Sequence, residues 1–179
     1  MRFTRDGDGV RAEVEGREAE AIADLVQQLL DIIEPAQTSD DPLATLVGLP
    51  TGDVHAPDDP VLQRLLPDAY RDDPDAAGDF RRYTDADLRA AKRAHAQLVL
   101  DTLPRGGGML LLDRDQCDAW LGALNDLRLA LGTALGVTED TDLDELAEDD
   151  PSFVPLLNYS VLGYLQESLL SCIDPRPGG

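Results

Sequence analysis

Apolar residues recur along this chain with two different periods. Near the start, Val10, Ala12 and Val14 alternate with Arg11, Glu13 and Glu15, the period-two pattern of a half-buried strand. Phe3 leads into Asp6-Gly7-Asp8-Gly9, whose Asp-Gly pairs supply the positive φ of a tight turn. Residues 1–15 are therefore predicted to form a β-hairpin. A two-stranded hairpin is marginal alone and must pack on something. Met109-Leu110-Leu111-Leu112, after Gly106-Gly107-Gly108, offers a third strand.

Elsewhere the period is helical. Ile22, Leu25, Val26, Leu29, Ile32 and Ile33 share one face of a helix over 17–34, which Pro35 ends. A second helix is predicted over 85–103, with Thr84 as N-cap, Asp87 at N3 and a Tyr83–Leu88 staple. Its inner face carries Leu88, Ala91, His95, Leu98, Val99 and Thr102. A third helix, 114–135, starts on an Asp113–Gln116 capping box and carries the stripe Trp120, Leu124, Leu127, Leu131, Leu135. A short acidic helix is expected over 141–148. The last helix, 155–173, is apolar nearly all round, which predicts a central place in a bundle or burial by a partner.

Between the first and second helices, residues 36–79 read as an irregular acidic segment. Pro42, Pro50, Pro57, Pro60, Pro67 and Pro74 interrupt it, and ten Asp face only Arg64 and Arg71. Short helical turns fit at 43–47 and 60–66. The fold class predicted is mainly α, at the margin of α+β: a four-helix-type bundle with a small N-terminal β-hairpin. Residues 1–174 form one acidic domain and 175–179 a flexible tail.

Composition narrows function by exclusion. Across 179 residues, 36 acids outnumber 15 bases, a net charge of -21, and such a surface repels a phosphate backbone. Direct DNA binding is accordingly disfavoured. The start of the chain has no apolar stretch of signal-peptide type and no run is long enough for a membrane span, so a cytoplasmic protein with no membrane partner is expected.

Candidate chemistry is sparse. Asp6-x-Asp8 imitates a calcium loop but has Val10 at the next ligand position and Arg17 in place of the closing Glu, and Asp140-x-Asp142-x-Asp144 has Glu145 in place of the turn glycine and Pro151 in place of the closing Glu. The triple glycine lacks the Lys-Ser/Thr of a phosphate loop. No metal and no cofactor is predicted. Of the two histidines, His55 falls in the acidic segment and His95 reads as a hydrogen-bonded core residue. An enzyme reading requires a cleft gathering Arg128, Glu167 and His95. Cys117 and Cys172 are candidate redox residues, although Asp113, Asp115 and Asp118 oppose a thiolate at Cys117. Asn125, Asp126 and Arg128, with Gln166 and Glu167, form a candidate partner-binding set, or an interhelical network fixing helix register. Arg81, Arg82, Arg89, Lys92 and Arg93 form a candidate basic patch, or a stripe neutralised by Asp72, Asp73, Asp75 and Asp79.

Two segments carry a resemblance. Arg64-Leu-Leu-Pro-Asp-Ala-Tyr-Arg-Asp-Asp runs on to Phe80-Arg-Arg-Tyr-Thr and Asp87-Leu-Arg. Trp120-Leu-Gly-Ala-Leu-Asn-Asp-Leu-Arg-Leu-Ala-Leu-Gly is followed by Gly163-Tyr-Leu-Gln-Glu-Ser-Leu. Together they resemble an actinobacterial family of unknown-function domains named after the oxidative-stress regulator AosR. The resemblance implies a cytoplasmic, non-enzymatic, transcription-associated regulator acting by protein–protein contact, with a sigma factor or RNA polymerase as partner. The redox role that the resemblance implies for at least one family member would rest on closely spaced cysteines, whereas Cys117 and Cys172 stand 55 residues apart. The alternative is an acidic adaptor module linked to Clp-type protein turnover. A homodimer is also predicted, because the last helix has more apolar surface than one neighbour covers.

Overall fold

The computed structural model describes residues 1–34, 58–69, 73–138, 141 and 149–173. In chain order these form β1 (Phe3–Asp6), β2 (Gly9–Glu15), α1 (Gly16–Ile33), α2 (Pro60–Leu65), α3 (Pro74–Thr102), β3 (Gly107–Leu112), α4 (Arg114–Ala134) and α5 (Phe153–Ile173). The protein is mainly α with a small β component, as the patterning predicts. The turn expected at 43–47, the helix at 141–148 beyond Thr141, the tail 175–179 and His55 lie outside the described residues.

The hairpin finds its support in a third strand. β2 is central and antiparallel to both neighbours, with Ala12 facing Phe3 on β1 and Leu110 on β3. Gly7, at φ 60°, turns β1 into β2. Phe3, Val10, Ala12, Val14, Leu110 and Leu112 point inward and are buried, while Arg11, Glu13, Met109 and Leu111 face out. The glycines before β3 have a structural use. Gly107 sits at φ 94°, and a Cβ there would lie 2.7 Å from the Gly16 nitrogen, so only glycine lets β3 meet the β2–α1 junction.

Helix boundaries follow local signals, with one correction. α1 opens on a reciprocal box between Glu15 and Glu18. The Glu18 carboxylate also takes the Met1 ammonium. Burial pushes the Glu18 pKa up, but the bonds from Met1 and from the Glu15 amide outweigh it and hold the pKa below the usual range. α4 starts on the expected Asp113–Gln116 box. The second helix of the sequence reading does not start at Asp85. It begins at Pro74, and Thr84 sits inside it, donating its hydroxyl to the Phe80 carbonyl at 2.9 Å. A threonine can satisfy its hydroxyl on the i−4 carbonyl of a continuing helix as readily as at a cap. The true start is written in Asp73-Pro74, with proline at the first helical position, and α2 begins the same way at Asp59-Pro60.

One core gathers every element. Val26, Leu29 and Ile33 of α1, Leu65 of α2 with Leu66 beyond it, Ala96 and Val99 of α3, Trp120 and Leu124 of α4, and Leu162 and Leu169 of α5 are buried together. The central helix is α4, which packs on α1, α2, α3, α5 and the sheet. The last helix is not central, contrary to the reading from its hydrophobicity. α5 rests on α4 and β1, and leaves Val154, Leu157, Val161, Tyr164 and Leu170 exposed. Among the described residues, no helix is long and apolar enough to cross a membrane.

Candidate functional site

α3 carries the candidate basic patch across the face of the molecule. Arg81, Arg89, Lys92 and Arg93 are engaged by acids of the chain itself. Arg81 is buried, pairs with Asp68, lies 3.8 Å from Asp85 and donates to the Leu66 carbonyl at 3.4 Å. Arg89 binds Asp85 at 2.6 Å and the Ile33 carbonyl at 2.9 Å. Lys92, the only lysine in the chain, meets buried Asp126 of α4 at 2.6 Å. Arg93 lies 3.4 Å from Glu34. A stripe neutralised by neighbouring acids is one of the two readings, and the pairings seen among the described residues agree with it. Asp68, Asp85, Asp126 and Glu34 do the pairing seen here, and the side chains of Asp72, Asp75, Asp79 and Arg82 lie outside the description.

The polar set on α4 and α5 is divided by the geometry. Arg128 lies in the seam between the two helices and donates to Gln166 Oε1 at 2.7 Å. Its guanidinium stacks over the Tyr159 ring, 5.3 Å from the centroid. The buried Nε has no partner among the described residues. Asp126 turns the other way, toward α3, while Asn125 and Glu167 are exposed. Gln166 thus supplies the neutral acceptor that Arg128 uses, and Glu167 stays outside the seam.

Tyr159 is the residue that reading the sequence missed. Its signal was in the glycines of the quoted strings. A Cβ at Gly132 would lie 3.0 Å from the Tyr159 ring, and one at Gly163 would lie 3.5 Å from Arg128 Nε. Gly122 does the same on the α3 side, where a Cβ would come 2.5 Å from His95 Nδ1. The strings that carry the family resemblance are therefore largely the surfaces on which α3, α4 and α5 meet. Asp68 and Arg81 repeat this in the first string, where they tie the α2 end to α3.

His95, Arg128 and Glu167 occupy three different settings: against Gly122, in the α4–α5 seam on Tyr159, and at the surface. Among the described residues, no three His, Cys, Asp or Glu side chains gather as a metal site.

The two thiols differ sharply. Cys117 is buried at the start of α4, its Sγ 4.0 Å from the Leu112 carbonyl. Burial, then the charges of Asp118 and Asp113, push its thiol up to about 11, with Arg114 opposing and Cys172 adding to the rise. Cys172 is partly exposed near the end of α5. At pH 8 only about one Cys117 thiol in a thousand is ionised, even where reagent reaches it. Native protein treated with N-ethylmaleimide at pH 8 is expected to take label at Cys172 first. Cys117 should follow roughly tenfold or more slowly, as read by peptide mass spectrometry. Equal rates at the two sites would show that the burial of Cys117 is wrongly described.

Comparison with known proteins bears on this same architecture. The family described as "Domain of unknown function (DUF2017)" matches residues 1–173. The chain is similar to the oxidative stress regulator AosR of Mycobacterium tuberculosis, 38% identical over 149 residues covering 75% of this chain and 68% of that protein. It is also similar to a putative oxidative stress regulator AosR of Mycobacterium leprae, 36% identical over 182 residues covering 93% of this chain and 83% of that protein. No solved structure matches. Since the match runs from β1 to the end of α5, the chain belongs to the DUF2017 family.

Proposed function

We propose that this chain regulates the oxidative stress response by binding another protein, with RNA polymerase or a sigma factor as the partner. The observation that carries the reading is its identity of 38% with a protein named as an oxidative stress regulator. Charge supports the mode of action. A molecule at -21 whose Arg81, Arg89, Lys92 and Arg93 are paired with its own acids has little to offer a phosphate backbone and much to offer a basic protein surface. The reading assigns no catalytic step, which agrees with the separate settings of His95, Arg128 and Glu167. It also assigns no sensing role to Cys117, whose raised pKa and burial make it a poor nucleophile.

The test is affinity capture of the tagged full chain from an actinobacterial lysate, with and without oxidant, followed by mass spectrometry. Polymerase subunits or a sigma factor should be enriched over a mock capture and released by added salt, as an acidic-on-basic contact requires. Capture that returns neither class of protein in either condition would overturn the reading.

A further inference from the structure

We infer that Arg128, Tyr159 and Gln166 form a receptor for a single carboxylate in the seam between α4 and α5. The partly or wholly buried cations Arg81, Arg89, Lys92 and Arg93 each meet a carboxylate of the chain. Arg128 is also partly buried, yet among the described residues it meets none, in a chain where acids outnumber bases 36 to 15. Its contacts are Gln166 Oε1, the Tyr159 ring and, 3.5 Å from Nη2, the Tyr159 hydroxyl oxygen. An acid stands one residue away from neutralising it. Gln166 faces the seam, whereas Glu167, about 100° further round the helix, is exposed. A contact that served only to pin α5 on α4 would gain more from a carboxylate at 166, since charge-assisted bonds are roughly twice as strong as neutral ones.

The hydrogen-bonding capacity left over points the same way. Arg128 only donates, so Gln166 turns its oxygen to it and keeps both Nε2 hydrogens. Tyr159 likewise turns its oxygen to Nη2 and keeps its O–H. Neither of those donors has an acceptor among the described residues. Arg128 Nε is buried against Gly163. The two Nη groups are therefore the working edge, flanked by Gln166 at Nη1 and Tyr159 at Nη2. A guanidinium, a carboxamide and a phenol with no acceptor between them fit an anion, and the planar edge fits a carboxylate. The charge of the whole chain, -21, sets the valence of that anion. Repulsion from acids more than about 8 Å away is largely screened at physiological salt, and what remains is twice as large for a dianion. A monocarboxylate is therefore preferred to phosphate. The inference does not depend on the regulatory reading above, and its outcome leaves that reading untouched.

Titration of the isotope-labelled full chain with sodium acetate, followed by NMR at constant ionic strength, tests it. The Gln166 side-chain amide and the Gly163 backbone amide should shift along saturating curves with millimolar midpoints. Acetamide, similar in shape but uncharged, should give no saturable shift, and phosphate should bind more weakly than acetate. Arg128→Gln should abolish the saturable response. Arg128→Lys keeps the charge but loses the planar fork, and should weaken it by about tenfold. Arg105→Gln, at an exposed arginine outside the seam, should respond as the parent does. Circular dichroism melts identify any variant that has lost its fold. Tyr159→Phe, which removes only the hydroxyl, then replaces it and should weaken acetate binding by about threefold. A second arm uses the blocked peptide acetyl-Ala-Glu-Ala-amide to assign the source of the carboxylate. Tighter binding than acetate places that carboxylate on a polypeptide, and equal or weaker binding makes it a free small acid. Shifts that rise linearly with acetate, that acetamide reproduces, or that persist in Arg128→Gln would overturn the inference. So would phosphate binding as tightly as acetate.

Discussion

Replacing Trp120 by alanine is expected to cost about 3–5 kcal/mol of folding stability and to lower the melting temperature by roughly 10 °C. Trp120 is the only tryptophan, is fully buried, and lies in the second turn of the central helix. Its ring meets Phe3 of β1 edge-on at a centroid distance of 5.9 Å, so one side chain joins the helical layer to the sheet. Its indole nitrogen donates to Thr102 Oγ1 at 2.9 Å, and that hydroxyl donates onward to the Leu98 carbonyl at 2.7 Å. Alanine leaves a cavity that α3, α4 and β1 would have to close at once, and each is held by other contacts. Trp120→Phe keeps most of the volume and leaves Thr102 bonded within α3, so it should lose only about 1–2 kcal/mol. Urea melts followed by circular dichroism separate the two. A loss under about 1 kcal/mol for alanine would mean that the sheet and helices do not share this centre.

How much of this arrangement could be read from the chain depended on whether a signal was local. The α4 start was explicit, because Asp113 and Gln116 complete a box whose only use is to begin a helix. The sheet was nearly explicit, since Val10, Ala12 and Val14 declare a strand by alternation. The α3 start was misread because Thr84 and Asp87 fit a cap on paper. The tertiary pull of Arg81 on Asp68 and the Leu66 carbonyl, fifteen residues or fewer upstream, favours helix through that point. Hydrophobicity misplaced α5 for a related reason. An apolar helix is buried only on the faces its neighbours reach, and α1 does not close over it. In the candidate site, residue types gave the participants but not the pairings. Asp126 and Arg128 are two apart on α4, so they point to different neighbours, which a list of polar residues cannot convey.

Lys92 and Asp126 turn that pairing into an energetic asymmetry. The Asp126 side chain is only 4% exposed, against 16% for Lys92. Lys92→Met should therefore cost about 3–5 kcal/mol at pH 7, because it strands a carboxylate that has no route to water. Asp126→Leu should cost less, about 1–2 kcal/mol, since the lysine stem can carry its ammonium outward. The double variant Lys92→Met with Asp126→Leu removes both charges and lets two apolar side chains of suitable volume meet across the α3–α4 contact. It should return to within about 1 kcal/mol of the parent, giving a large positive coupling in the double-mutant cycle. Strict additivity, with the double variant as unstable as the two losses summed, would show that the ion pair is not what each single variant breaks. The chain's one lysine is thus expected to hold α3 on α4 mainly by keeping a buried acid partnered, with little net gain over a plain apolar contact.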